Sequence, residues 1–174
     1  MDGCTCEGWY NEMTTITLKG IIDEDFVNYK HSSMTLMFPS CTFKCEHDCG
    51  QPVCQNSSIA KQPDIEVNID KLCERYINNK ISRAIVCQGL EPFDSFDELL
   101  SFIAELRIKY QCDDDIVIYT GYNSNEIQTY INILRKYKNI IVKFGRYIPD
   151  SEEVYDSTLG VKLASSNQYA VKIS

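Results

Sequence analysis

Short apolar runs alternate with longer amphipathic stretches along this chain. Met34 to Phe38, Arg83 to Cys87, Ile116 to Tyr119 and Ile140 to Phe144 each have the length and content of a buried strand. Between them, apolar positions recur at helical spacing. A helix from about Asp70 to Asn79 puts Ile69, Leu72, Cys73, Tyr76 and Ile77 on one face. A second, capped by Asp94 or Ser95 and running through Tyr110, turns Phe96, Leu99, Leu100, Ile103 and Leu106 inward. A third, with Ser124 as its cap, carries Ile127, Tyr130, Ile131, Leu134 and Tyr137. Thr14 to Ile22 reads as one earlier strand. Residues 1–13 read as a flexible extension, and 14–174 as a single domain.

Strands alternating with helices predict right-handed crossovers and a largely parallel sheet, an α/β fold. Ligands of such sheets bind beyond the carboxyl ends of the strands. The unusual loops of this chain fall there: a cysteine-rich loop after Phe38, QGLEP after Cys87, TGYN after Tyr119 and GRY after Phe144. Position alone therefore marks one edge of the sheet as the functional edge.

Composition narrows the function classes. With 174 residues, 44% of them hydrophobic, the chain can bury one ordinary core. A net charge of -8 and a pI near 4.8 argue against nucleic acid or an anionic membrane as main partner. No run approaches a membrane span, and MDGCTCEGWYNEM has neither a basic nor an apolar leader segment. The expected location is the cytoplasm. Nine cysteines there favour reduced thiols, some of them metal ligands, over a disulfide scaffold.

Four of those cysteines lie within SCTFKCEHDCGQPVCQNSS, residues 40–58. Three residues separate Cys41 from Cys45 and Cys45 from Cys49, and Cys54 opens the triplet Cys54-Gln55-Asn56. Thiolates this dense gather around a metal or cluster, or cross-link. A cubane that only transfers electrons takes four thiolates. Three would leave one iron open to a substrate or cofactor, by the logic that separates catalytic from structural zinc.

The segment resembles the cluster loop of radical S-adenosylmethionine enzymes, whose usual pattern is C-x3-C-x2-C. More narrowly, the chain is similar to the small activating enzymes of anaerobic ribonucleotide reductase. The resemblance covers about Thr17 to the C-terminus. It rests on CTFKC, the CQN triplet, the strand-end GLEP, YTGY from Tyr119 to Tyr122 and ASSNQ from Ala164 to Gln168. It implies a partial, open β/α barrel with a mainly parallel sheet. It also implies that Cys41, Cys45 and a third thiolate hold a [4Fe–4S] cluster. The segment resembling GGEP (Gly89, Leu90, Glu91, Pro92) would lie along the methionine part of S-adenosylmethionine, with Thr120 and Gly121 near the cofactor at the neighbouring strand end.

The chain departs from that pattern in places. The family spacing calls for a cysteine at position 48, which is Asp48; Cys49 stands one residue late and Cys54 six late. Cys54 is preferred as third ligand, with Cys49 as the alternate. Cys54 precedes Gln55 and Asn56, and apolar Val53 before it matches the residue the family packs against adenine. EHDCGQPV then reads as an inserted bulge, with Gly50 and Pro52 suited to a turn. Leu90 stands where the family has a second glycine, and NYKHSS replaces a glycine-rich stretch upstream. Gly89, without a side chain, is expected to let backbone approach a ligand.

Simpler readings stand beside these. The four cysteines could form a structural zinc site, although paired C-x2-C spacing is absent. His47 on a polar loop reads as solvated, and Cys4 and Cys6 as stray thiols. Cys73 and Cys87 read as small core residues. The acidic run Asp113 to Asp115 reads as a solvated turn, and Cys112 before it has no assigned role. Glu91 is expected to orient the cofactor's amino group rather than act as a base.

The resemblance implies an enzyme that splits S-adenosylmethionine reductively and generates a glycyl radical on a partner. That partner would be a glycyl-radical enzyme, foremost anaerobic ribonucleotide reductase, with a low-potential electron donor. A chain with no second domain has little room for its own substrate pocket, which also favours a macromolecular substrate. Two alternatives stay open: a radical enzyme acting on another protein or a small molecule, and a non-catalytic zinc or iron–sulfur module.

Overall fold

The computed structural model describes residues 14–174. Strands β1 (Thr15–Leu18), β2 (Gly20–Asp25) and β3 (Ser33–Phe38) open the fold. Two short helices follow, α1 (Lys44–Cys49) and α2 (Ser57–Ala60). Next come β4 (Ile65–Asn68) and α3 (Ile69–Asn78), then β5 (Ala84–Gly89), α4 (Phe96–Ala104), β6 (Asp115–Tyr119), α5 (Gln128–Leu134) and β7 (Ile140–Phe144). Strands β8 (Val154–Asp156), β9 (Val161–Leu163) and β10 (Tyr169–Lys172) complete the chain.

The main sheet has six strands in the order β10-β7-β6-β5-β3-β2. Its inner four strands are parallel, and the two edge strands are antiparallel to their neighbours. This is the α/β class with the mainly parallel sheet expected. The sheet is open: β2 and β10 are its edges, and among the described residues no strand joins them into a closed barrel. The apolar strand runs follow from burial on both faces. Leu36, Phe38, Cys87, Ile118 and Val142 face the helices, while Val86, Val117 and Ile141 pack against Tyr29, Leu159 and Leu163 from the β2–β3 connection and the β8–β9 segment. Cys73 and Cys87 are fully buried, as expected of small core residues.

Several sequence expectations are corrected. Thr14 to Ile22 is not one strand. The chain breaks at Lys19, so that β1 pairs with β4 and β2 with β3; Lys19 donates its amide to Met37 and its ammonium pairs with Asp64. Ile77, placed on the inner face of α3, is 45% exposed. Ser124 does not cap α5, which begins at Gln128. Glu126 reaches back to the Asn123 amide and pairs with Arg146, holding the intervening residues in turns. Ser95 is the N-cap residue of α4 without a side-chain bond. Before it, Pro92–Ser95 form a 3-10 turn capped by Glu91, which accepts from the Phe93 amide. Beyond α4, residues Glu105–Lys109 widen into a π turn, and the Arg107 guanidinium is used by the Cys112 and Asp114 carbonyls. The acidic run after Cys112 is thus partly tied down: Tyr76 donates to Asp114 and Tyr29 to Asp115.

Candidate metal centre

Phe38 and Gly89 are register partners at the carboxyl ends of β3 and β5, so the loops after them start side by side. Three hydrogen bonds join those loops. Leu90 donates its amide to Phe38, Glu91 donates its amide to Ser40, and the Asn56 side chain donates to the Gly89 carbonyl at 2.5 Å. The asparagine of the CQN triplet is thereby tied to the first residue of GLEP. Thr42 donates its amide to the Asp94 carboxylate, whose other oxygen accepts from the Tyr122 hydroxyl at 2.6 Å. This draws the TGY segment after β6 to the same edge.

These loops enclose a cavity of about 350 Å³, at the small-molecule end of ligand pockets. Cys41, Cys45 and Cys54 line it, and so do Val53, Gln55, Asn56, Gly89, Leu90, Glu91, Thr120 and Gly121. Cys49 and Pro92 do not. Cys49 is exposed on the last turn of α1, with its Sγ near the Glu46 and Gln51 carbonyls. Pro92 is buried as the first residue of the 3-10 turn. Cys4 and Cys6 lie outside the described residues. His47 sits in the last turn of α1.

The expected bulge is a short helix. Residues Lys44–Cys49 form α1, which Gly50 ends in the left-handed conformation at φ 67. Glu46 on α1 accepts the Cys54 amide at 3.1 Å, so the insertion positions the third cavity thiol. Between Cys41 and Cys45, Phe43 adopts φ 52, a conformation that strains a bulky side chain. Its amide points at the Cys41 Sγ, 3.2 Å away.

Burial pushes the Cys41 thiol up to about 12, and Glu91, Asp94 and Cys45 add to the shift. Cys45 is raised too, first by burial and next by Cys54. Each thiolate thus disfavours its neighbour, and cationic iron supplies the charge that would hold all three ionised. Among the described residues, no set of three His, Cys, Asp or Glu side chains is placed to hold a single metal ion.

Glu91 is almost wholly buried at the cavity wall. One carboxylate oxygen accepts from Phe93 N; the other accepts from Thr120 Oγ1 at 3.0 Å and Gly121 N at 2.9 Å. Burial lifts its carboxyl to about 7 against those three bonds. Gly89 has a packing role beside its place in the cavity lining. A Cβ there would stand 2.7 Å from the Phe38 amide nitrogen, at a φ of 102. The missing side chain makes room for β3. At Gly121 a Cβ would meet only ordinary contacts at 3.7 Å.

The model of a family described as "4Fe-4S single cluster domain" matches residues 30–170. The chain belongs to this family. The match spans the cavity's thiols and all four parallel strands, so the single-cluster assignment makes this an iron–sulfur protein. No curated protein and no solved structure matches the chain. No helix among the described residues is long and apolar enough to cross a membrane.

Sequence reasoning missed four side chains of this edge. Glu46 and Asp94 hold the loops. Arg146 pairs with Asp48 and Glu126, and Lys143 lines the cavity from β7. For Lys143 a signal existed: it is the lone charge inside the apolar run IIVKF.

Proposed function

We propose that this member of the single-cluster family is a radical S-adenosylmethionine activating enzyme. The observation that carries the reading is the joining of three segments at one cavity: the Cys41, Cys45 and Cys54 loop, GLEP and TGY, stitched by Asn56 to Gly89 and by Glu91 to Thr120 and Gly121.

Cys41, Cys45 and Cys54 would hold a [4Fe–4S] cluster, with Cys49 outside the set. Such a cluster would supply the one electron needed for reductive cleavage of S-adenosylmethionine, and the resulting 5′-deoxyadenosyl radical would take a hydrogen atom from a glycine of a partner. The chain's own residues bind and orient. An ionised carboxylate offers about four acceptor positions, and the three donors on Glu91 leave room for one more, which suits the cofactor's ammonium. Val53, before the third thiolate, is available to the adenine, and Gln55 and Asn56 fix the loop's exit. Leu90 and Gly121 border the cofactor space. The open sheet fits a partial β/α barrel of the radical S-adenosylmethionine type.

The favoured partner is a glycyl-radical enzyme, foremost anaerobic ribonucleotide reductase, with a low-potential electron donor. The test is anaerobic mixing of the reconstituted, reduced protein with a cognate reductase and S-adenosylmethionine. A glycyl doublet in the electron paramagnetic resonance spectrum is expected. Cofactor cleavage without that doublet would shift the substrate to another protein or a small molecule.

A further inference from the structure

Lys143 is 7% exposed, yet it lines the cavity and carries a charge that nothing neutralises directly. Its ammonium donates to the Gly145 carbonyl at 3.0 Å and lies 5.8 Å from the centroid of the Tyr119 ring. Among the described residues, no carboxylate comes within ion-pair distance of it. Glu91 is the charged group that acts on it from a distance, and Glu91 also acts on Cys41. Lys143, Glu91 and Cys41 line one cavity. Asp25 and Asp156, the carboxylates that act on neighbouring Tyr119, are committed elsewhere. Asp25 accepts from Val27, Asn28 and Thr35, and Asp156 from the Leu159 and Ala170 amides.

A buried ammonium destabilises the fold unless it is well paired. The fold gains little in return here. The Gly145 carbonyl that Lys143 serves already accepts from Gln168 Nε2 at 3.2 Å. The surrounding strand is apolar, so an uncharged side chain of equal length would suit the core better. Burial lowers the ammonium to about 8, which leaves most of it charged at neutral pH. An ammonium has three donors, and only one is used. Lys162, largely exposed on β9, lines the same cavity but pairs with Glu153 at 3.6 Å.

We propose that Lys143 forms an oxyanion subsite in the wall of the cavity, where it receives a carboxylate or phosphate of a bound ligand. This rests on the reading of the cavity as a ligand site. The anion has two possible sources: the amino-acid carboxylate of S-adenosylmethionine, or a separate small molecule.

The test measures binding of S-adenosylmethionine, its decarboxylated analogue and inorganic phosphate to the anaerobically reconstituted protein, for wild type, Lys143→Met and Lys143→Arg. In Lys143→Met the anion's affinity falls about tenfold or more, the worth of one charge-assisted hydrogen bond. Lys143→Arg recovers part of the loss. The melting midpoint of Lys143→Met stays level or rises, which a purely structural lysine would not allow. A loss on S-adenosylmethionine but not on its decarboxylated analogue assigns the cofactor's carboxylate. A loss on phosphate alone assigns a separate oxyanion. Three unchanged affinities, or a loss matched by a lowered melting midpoint in both variants, overturn the subsite. Failure of every form to bind S-adenosylmethionine, while phosphate still depends on Lys143, overturns the enzyme reading and leaves the subsite standing.

Discussion

Asp48 Oδ2 lies 3.1 Å from Arg146 Nε, joining α1 of the cysteine loop to the residue that follows β7 by one glycine. The position where the resembling family carries its third cysteine is thus a strut. Arg146 also pairs with Glu126 at 2.6 Å, and Glu126 with Lys44. This chain of charges ties α1, which brings Cys54 into place, to the segments after β6 and β7. The Asp48 side chain is 62% exposed, so solvent screening limits the Asp48 pair to about 1 kcal/mol or less. Arg146→Met is expected to lower the melting midpoint by only about 4 °C or less. Amide exchange across residues 44–56 should nevertheless rise clearly. Unchanged exchange there would remove the strut.

Gly89 and Gly121 border the same cavity but respond oppositely to an added methyl. Gly89→Ala would press a Cβ into the β3 backbone at a left-handed φ, at a cost of about 3 kcal/mol. Gly121→Ala meets only ordinary contacts and should stay within about 0.5 kcal/mol of wild type in urea unfolding. Equal stabilities would contradict the packing of β5 against β3.

The three cavity thiols and the outlying Cys49 make a second contrast. Cys54→Ala should abolish stable cluster binding, while Cys49→Ala keeps about four irons per chain after anaerobic reconstitution. Iron and acid-labile sulfide analysis decides between them. Reversed phenotypes would exchange the two ligands, and loss in both would make all four thiols ligands.

Glu91 gives the cluster-free protein a pH signature. Burial raises its folded-state carboxyl from 4.5 to about 7. The folded state therefore holds its proton more tightly than the unfolded chain does. The resulting stability is fully present below about 4.5 and is lost as pH rises to about 7. Unfolding free energy measured across that window should decline with rising pH, and Glu91→Gln should flatten the decline. An equal slope in both proteins would assign it to other groups.

The inner strands and the faces of α3 and α4 were legible because burial writes itself as apolar runs and helical periodicity. Leu72, Leu99 and Ile118 fall where the pattern puts them. The cavity was legible by position, since its loops all leave carboxyl ends of parallel strands. Other features left no such mark. The α1 sequence, KCEHDC, has no buried residue and so no periodicity to read. Strands β4, β8, β9 and β10 have three or four residues each, with few buried positions. Glu126 lies in turns ahead of α5, and its pairing with Lys44 and Arg146 left no mark because those contacts join distant segments.

The most direct test of the enzyme reading is product analysis of the reconstituted protein, reduced with dithionite and incubated anaerobically with S-adenosylmethionine. The account predicts 5′-deoxyadenosine and methionine in equal amounts, dependent on reductant and abolished in Cys54→Ala. A fully loaded, reducible cluster that leaves S-adenosylmethionine intact would contradict it.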